Sequence, residues 1–109
     1  LRVSGLDSFY YLPMLHDMRY KGPRLSEIIR NTYHRDPLNG DIYIYVSRDR
    51  RTIRLFQYKH HVYELHERTF SNEYRFKKVV LRDGIPTYKM DWKTVMVILR
   101  SPVIKQIRI

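Results

Sequence analysis

No cysteine occurs among the 109 residues, which excludes disulfide scaffolds, thiol nucleophiles and cysteine-ligated zinc. Glycine and proline are scarce, at four and five residues, and they are scattered singly. No linker, low-complexity tract or Gly-rich phosphate loop is therefore present. Long apolar runs are missing as well. Ile42 to Val46 and Val95 to Leu99 span five residues each, far short of the ~20 that cross a bilayer. A soluble chain without a membrane partner is expected. The opening Leu1-Arg2-Val3 has no apolar h-region behind it, so no signal peptide is expected either. Negative charge is the last scarcity: eleven Asp and Glu face twenty-one Lys and Arg, for a net charge of +10. Such an excess points to a polyanionic partner. The length suits one domain, residues 1–109, with a single core.

The basic excess is unevenly placed. Residues 42–82 hold ten basic and four acidic groups, against six and five in 1–41 and five and two in 83–109. Phe9-Tyr10-Tyr11-Leu12, stopped by Pro13, reads as a first strand. Gly22-Pro23 opens a helix in which Leu25, Ile28, Ile29, Thr32 and Tyr33 share one face, and Asp36-Pro37 with Gly40 ends it. Ile42, Ile44 and Val46 alternate with Tyr43 and Tyr45, and Ile53 and Leu55 alternate with Arg54, Phe56 and Tyr58. This is a β-hairpin around the polar Ser47 to Arg51. Val62 to Phe70 predicts a third strand of that sheet and Tyr74 to Leu81 a fourth. Asp91 is placed to cap a helix carrying Trp92, Val95, Met96 and Leu99, which Ser101-Pro102 stops, and Val103 to Ile109 reads as an extended tail. The expected class is α+β: an antiparallel sheet of about four to five strands with two α-helices packed on one face.

With both helices on one face, Tyr43, Tyr45, Phe56 and Tyr58, together with Arg54, would line the other. That surface would suit base stacking, or docking on a protein partner. The bland alternative is that tyrosine and phenylalanine are good strand residues and that this face is covered by the tail or another subunit. Arg48, Arg50 and Arg51 at the hairpin tip are expected to project into solvent, add little to stability and hold phosphates. Arg68, Arg75, Lys77 and Lys78 form the alternative basic surface. His60, His61 and His66 invite a metal reading, but on one strand His60 and His66 would lie ~20 Å apart and His61 would face the other way. No metal and no cofactor are expected. Asp17, Asp41 and Asp91 could be imagined as a two-metal nuclease triad. Each has a simpler role, in a turn beside Arg19, at a turn end and at a helix cap. No nucleophile elbow or paired-histidine motif occurs, so no catalytic residue is expected.

Asp17-Met18-Arg19 before Gly22, then Asp36-Pro37-Leu38-Asn39-Gly40-Asp41-Ile42-Tyr43-Ile44-Tyr45, then Arg50-Arg51-Thr52-Ile53-Arg54-Leu55 resemble three ordered motifs of one family. This is the second-open-reading-frame protein of insertion-sequence-sixty-six elements, called TnpB there and distinct from the RNA-guided nucleases sharing that label. The resemblance runs from about Phe9 to Leu99. It departs after Tyr58, where the family's Trp-Asp-Gly, a further glycine and Lys-Arg-Leu-Glu are replaced by Tyr58-Lys59-His60 and Glu67-Arg68-Thr69-Phe70, so only Arg68 of the basic pair remains. The resemblance implies a bacterial, cytoplasmic, nucleoid-associated accessory protein of transposition, working beside a separate element-encoded transposase that carries the catalysis. Joined to the charge pattern, it predicts a DNA-binding role for Arg48, Arg50, Arg51, Arg54 and Arg68, with Arg19 and Lys21 as further contacts. The alternatives are an adaptor docking on the transposase through Tyr43, Tyr45, Phe56 and Tyr58, and a small metal-dependent nuclease. At Asp17-Met18-Arg19 the expectation is a structural turn, the Asp accepting turn N–H groups and the Arg satisfying nearby carbonyls.

Overall fold

A computed structural model of the chain describes residues 4–82, 84–100 and 102–104. The elements run β1 (Phe9–Tyr11), α1 (Gly22–Asn31), β2 (Ile42–Val46), β3 (Thr52–Lys59), β4 (Val62–Thr69), β5 (Tyr74–Arg75), β6 (Tyr88–Met90), α2 (Trp92–Arg100) and β7 (Val103–Ile104). Five strands form one sheet in the order β4-β3-β2-β1-β6, and β5 pairs with β7 apart from it. The class is α+β, as expected, but the sheet is mixed. β1 and β2 are parallel, because the chain crosses back through α1 between them, whereas the other three pairings are antiparallel.

The helices do not share a face. Ile42, Ile44 and Val46 of β2 and Ile53 and Leu55 of β3 pack with Val95 and Ile98 of α2, with Phe9 and Tyr11 beside them. Tyr43, Tyr45 and Phe56 point the other way and pack with Leu25 and Ile29 of α1 and with Leu12 and Leu15. Every residue of β2 is buried. The expected open aromatic face is thus a second core, a consequence of the β1-α1-β2 crossover laying α1 over it.

The third strand appears as β4, in unbroken register with β3 from Thr52↔Thr69 to Lys59↔Val62. The turn between them is only His60-His61, both at positive φ (53° and 65°). That is the left-handed pair a tight hairpin demands, made here without glycine. The fourth strand shrinks to Tyr74–Arg75 in the small second sheet. The expectations for Ser101 and for the tail over 105–109 fall outside the described residues. Asp91 caps α2 as expected, its Oδ1 accepting the Thr94 N–H at 2.8 Å.

Candidate nucleic-acid interface

At the tip of the β2-β3 hairpin, Ser47 accepts the Arg50 N–H through its carbonyl at 3.0 Å, and Arg50 turns left-handed (φ 58°). Asp49 closes the turn, its Oδ1 accepting the Arg51 N–H at 3.0 Å and the Ser47 hydroxyl at 2.7 Å. Those bonds hold its carboxyl below the usual aspartate range. The tip does not stand free. The Arg51 guanidinium donates from Nε and Nη2 to the Phe70 carbonyl at 3.1 and 2.8 Å, and the Phe76 N–H reaches the Arg50 carbonyl at 2.8 Å. Arg51 is therefore a clamp on the segment after β4, contrary to the expectation of a solvent-projecting arginine.

Beside the tip lies the loop after β1. Asp17 accepts the Arg19 N–H at 2.9 Å and pairs with its guanidinium at 2.7 Å, with Nε at 3.0 Å. The Arg19 side-chain and backbone hydrogen bonds bring its carboxyl pKa down to about 2. The turn is structural in its aspartate, as expected, but the carbonyls are satisfied by a different arginine. Arg54, only 6% exposed, reaches in from β3. It donates to the Met18 carbonyl, to the Tyr20 carbonyl at 2.5 Å, to the Tyr45 hydroxyl at 3.1 Å and to Glu67 Oε1 at 2.8 Å. His16 ties the same loop to the hairpin, its Nδ1 lying 2.9 Å from the Val46 carbonyl. A carbonyl only accepts, so Nδ1 carries the proton.

Loop and tip enclose a hollow of about 640 Å³ lined by His16, Asp17, Arg19, Ser47, Arg48 and Asp49 among others. Through His16, Ser47 and Arg48 it adjoins a second, of about 310 Å³, which adds Tyr11, Arg50 and Lys78. Through Pro13, Lys78 and Val79 that one adjoins a third, of about 630 Å³, reaching Arg82. The three adjoin as a groove that wraps around the tip end of the sheet, from the α1 side, where Leu15, Met18 and Tyr20 pack, to the α2 side, where Tyr11, Val46 and Val79 pack. Arg19, Arg48, Arg50, Lys78 and Arg82 line it in turn. The carboxylates among its described lining residues, Asp17 and Asp49, are both held in hydrogen bonds. Arg48, Lys78 and Arg82 are exposed and Arg50 is half-buried.

The structure divides the sequence-predicted residues. Arg19, Arg48 and Arg50 meet in the groove. Lys21 is exposed at the N-cap position of α1, outside the groove lining. Arg68 lies on β4 beside Trp92, Met96, Leu99 and Arg100 of α2. Arg54 is internal, and Tyr43, Tyr45 and Phe56 are fully buried, so they offer no stacking or docking face. Tyr58 packs edge-on against Tyr63 at 4.9 Å and borders a hollow by the His60-His61 turn. His16 and Arg82 were not legible as groove residues, because only the fold sets the loop after β1 and residues 78–86 beside the tip. Asp17 bonds Arg19, Asp41 pairs with Arg35 at 3.3 Å and Asp91 caps α2. Among the described residues no three His, Asp or Glu side chains gather as a metal site, and no helix is long and apolar enough to cross a membrane.

The fold and groove define a small basic α+β protein with cations lining the hollows around its hairpin tip. The chain belongs to the family described as IS66 Orf2 like protein, whose model matches residues 8–108. Membership implies an accessory role in insertion-sequence transposition and association with that machinery. Comparison with the curated proteins and with the solved structures gives no match.

Proposed function

We propose that this chain is a non-catalytic, DNA-binding accessory protein of transposition that holds the phosphate backbone in the groove at the hairpin tip. The observation carrying this reading is that Arg19, Arg48, Arg50, Lys78 and Arg82, from three separate segments, line three adjoining hollows around the tip end of the sheet. A guanidinium binds phosphate oxygens through charge-assisted hydrogen bonds, and a lysine does so as a point charge. Contacts of this kind position the duplex without reading its sequence. Docking on the transposase through Tyr43, Tyr45 and Phe56 is not retained, because those rings are in the core.

The test replaces Arg48 and Lys78 together by serine and measures binding to several unrelated labelled duplexes. Both side chains are exposed, so folding stability should move by less than about 0.5 kcal/mol. Affinity should fall by a similar factor on every duplex. Unchanged binding by the double variant would place the DNA surface elsewhere and refute the groove.

A further inference from the structure

β4 is the outermost strand of the five-stranded sheet, eight residues long and unbulged. Alternate residues of a strand turn their backbone groups to opposite sides. The Phe70 N–H, one residue past β4, meets the Arg51 carbonyl of the neighbouring chain segment at 2.9 Å. Even-numbered residues therefore face β3, and the N–H and C=O groups of Tyr63, Leu65, Glu67 and Thr69 face outward. Among the described residues no strand pairs with them. Proteins guard such an edge with proline, a bulge, a short strand or charged side chains; β4 has none of the first three, and its charges, Glu64, Glu67 and Arg68, are of both signs. Val62 and Tyr63 on it are 50% and 42% exposed.

We propose that the outer edge of β4 pairs with the same edge of a second copy of this chain, antiparallel about a two-fold axis at His66. The charges select both the occupant and the register. Glu64 and Arg68 lie on the same side of β4, and neither side chain makes a hydrogen bond or ion pair among the described residues. With His66 opposite its counterpart, Glu64 of each copy faces Arg68 of the other. Leu65 then faces Glu67 and Tyr63 faces Thr69, and these residues supply the outward backbone groups that bond across the axis. Sliding two residues one way sets Arg68 against Val62, and sliding two the other way sets Glu67 against its own copy. Only the His66 register satisfies both charges, the mark of a self-complementary isologous contact. The C-terminal end of β4 adjoins the hairpin tip through Thr52↔Thr69. The antiparallel dimer is thus a ten-stranded sheet with a basic groove at each end. Bridging of two duplexes follows from it, a consequence that rests on the proposed function, whereas the pairing itself does not.

Sedimentation equilibrium of the full chain over a wide concentration range tests the pairing, with circular dichroism to confirm folding. The wild type should dimerise reversibly. Glu64→Arg and Arg68→Glu should each weaken the dimer about tenfold, since each sets like charges opposite one another twice. The double swap should restore it. Leu65→Pro removes an outward N–H that β3 does not use, and should abolish the dimer while leaving the fold. A chain monomeric at every concentration, single variants that dimerise like wild type, or a double swap no better than either single would overturn the proposal. DNA bridging is read separately, by capture of a free duplex on a tethered one. A dimer that obeys the charge swap but captures no duplex counts against the groove and leaves the edge pairing standing.

Discussion

Arg54 loses its hydration to hold a loop in place. Its guanidinium serves the Met18 and Tyr20 carbonyls, the Tyr45 hydroxyl and Glu67 at once, tying the loop after β1 to β3 and β4. Arg54→Ala should destabilise the fold by about 3 kcal/mol in urea unfolding, the scale of a broken buried charge network. Arg54→Lys should recover only part, since a single ammonium cannot span a planar fork of acceptors. A loss under ~1 kcal/mol for the alanine variant would show the network to be dispensable. Asp17 adds a pH dependence. A carboxyl with a folded-state pKa below its unfolded value adds stability that is complete above the unfolded value and lost as pH falls through the folded one. For Asp17 that window runs from 3.8 down to about 2, and Asp49 and Asp91, also lowered, titrate in the same direction. Asp17→Asn should therefore flatten the loss of stability with acid in that range. Acid unfolding curves with the same slope for both proteins would contradict it. The Asp17 turn was legible from Asp-Met-Arg, but the role of Arg54 was not. An arginine alternating with apolar residues reads as a solvent-facing position, and only the crossing of α1 buries it.

Elements explain why some of the fold could be read locally. The alternation of Ile42, Ile44 and Val46 and the spacing of Leu25 and Ile29 announced β2 and α1, and both stripes are core. The side of the sheet each helix takes was not legible, because β2 carries apolar or aromatic residues on both faces and the pattern does not say which is covered. β6 is three residues long, too short for a period, and exists because β1 offers it an edge. The joint of α1 with the edge strand is tight: a Cβ on Gly22 would come within 2.6 Å of the Tyr63 Cβ. Gly22→Ala should therefore destabilise by ~1–3 kcal/mol through overpacking, although alanine is the better helix former. An unchanged or higher melting temperature would mean that α1 can shift away from β4 at no cost.

Over the whole molecule, charge and topology converge. The excess of positive charge in residues 42–82 was plain from the sequence, and so was the hairpin that carries part of it. The groove was not, since it is assembled from the loop after β1, the hairpin tip and residues 78–86, and two of the three tip arginines have other work or partial burial. The family places the chain in transposition, and in the proposed function the groove is the surface through which it acts there. The most direct measurement is the salt dependence of duplex binding. Five groove cations contacting phosphates should give a slope of about −4.5 in log affinity against log salt concentration, and Arg48→Ser with Lys78→Ser should reduce its magnitude by about two. A flat titration, or the full slope retained by the double variant, would contradict the account.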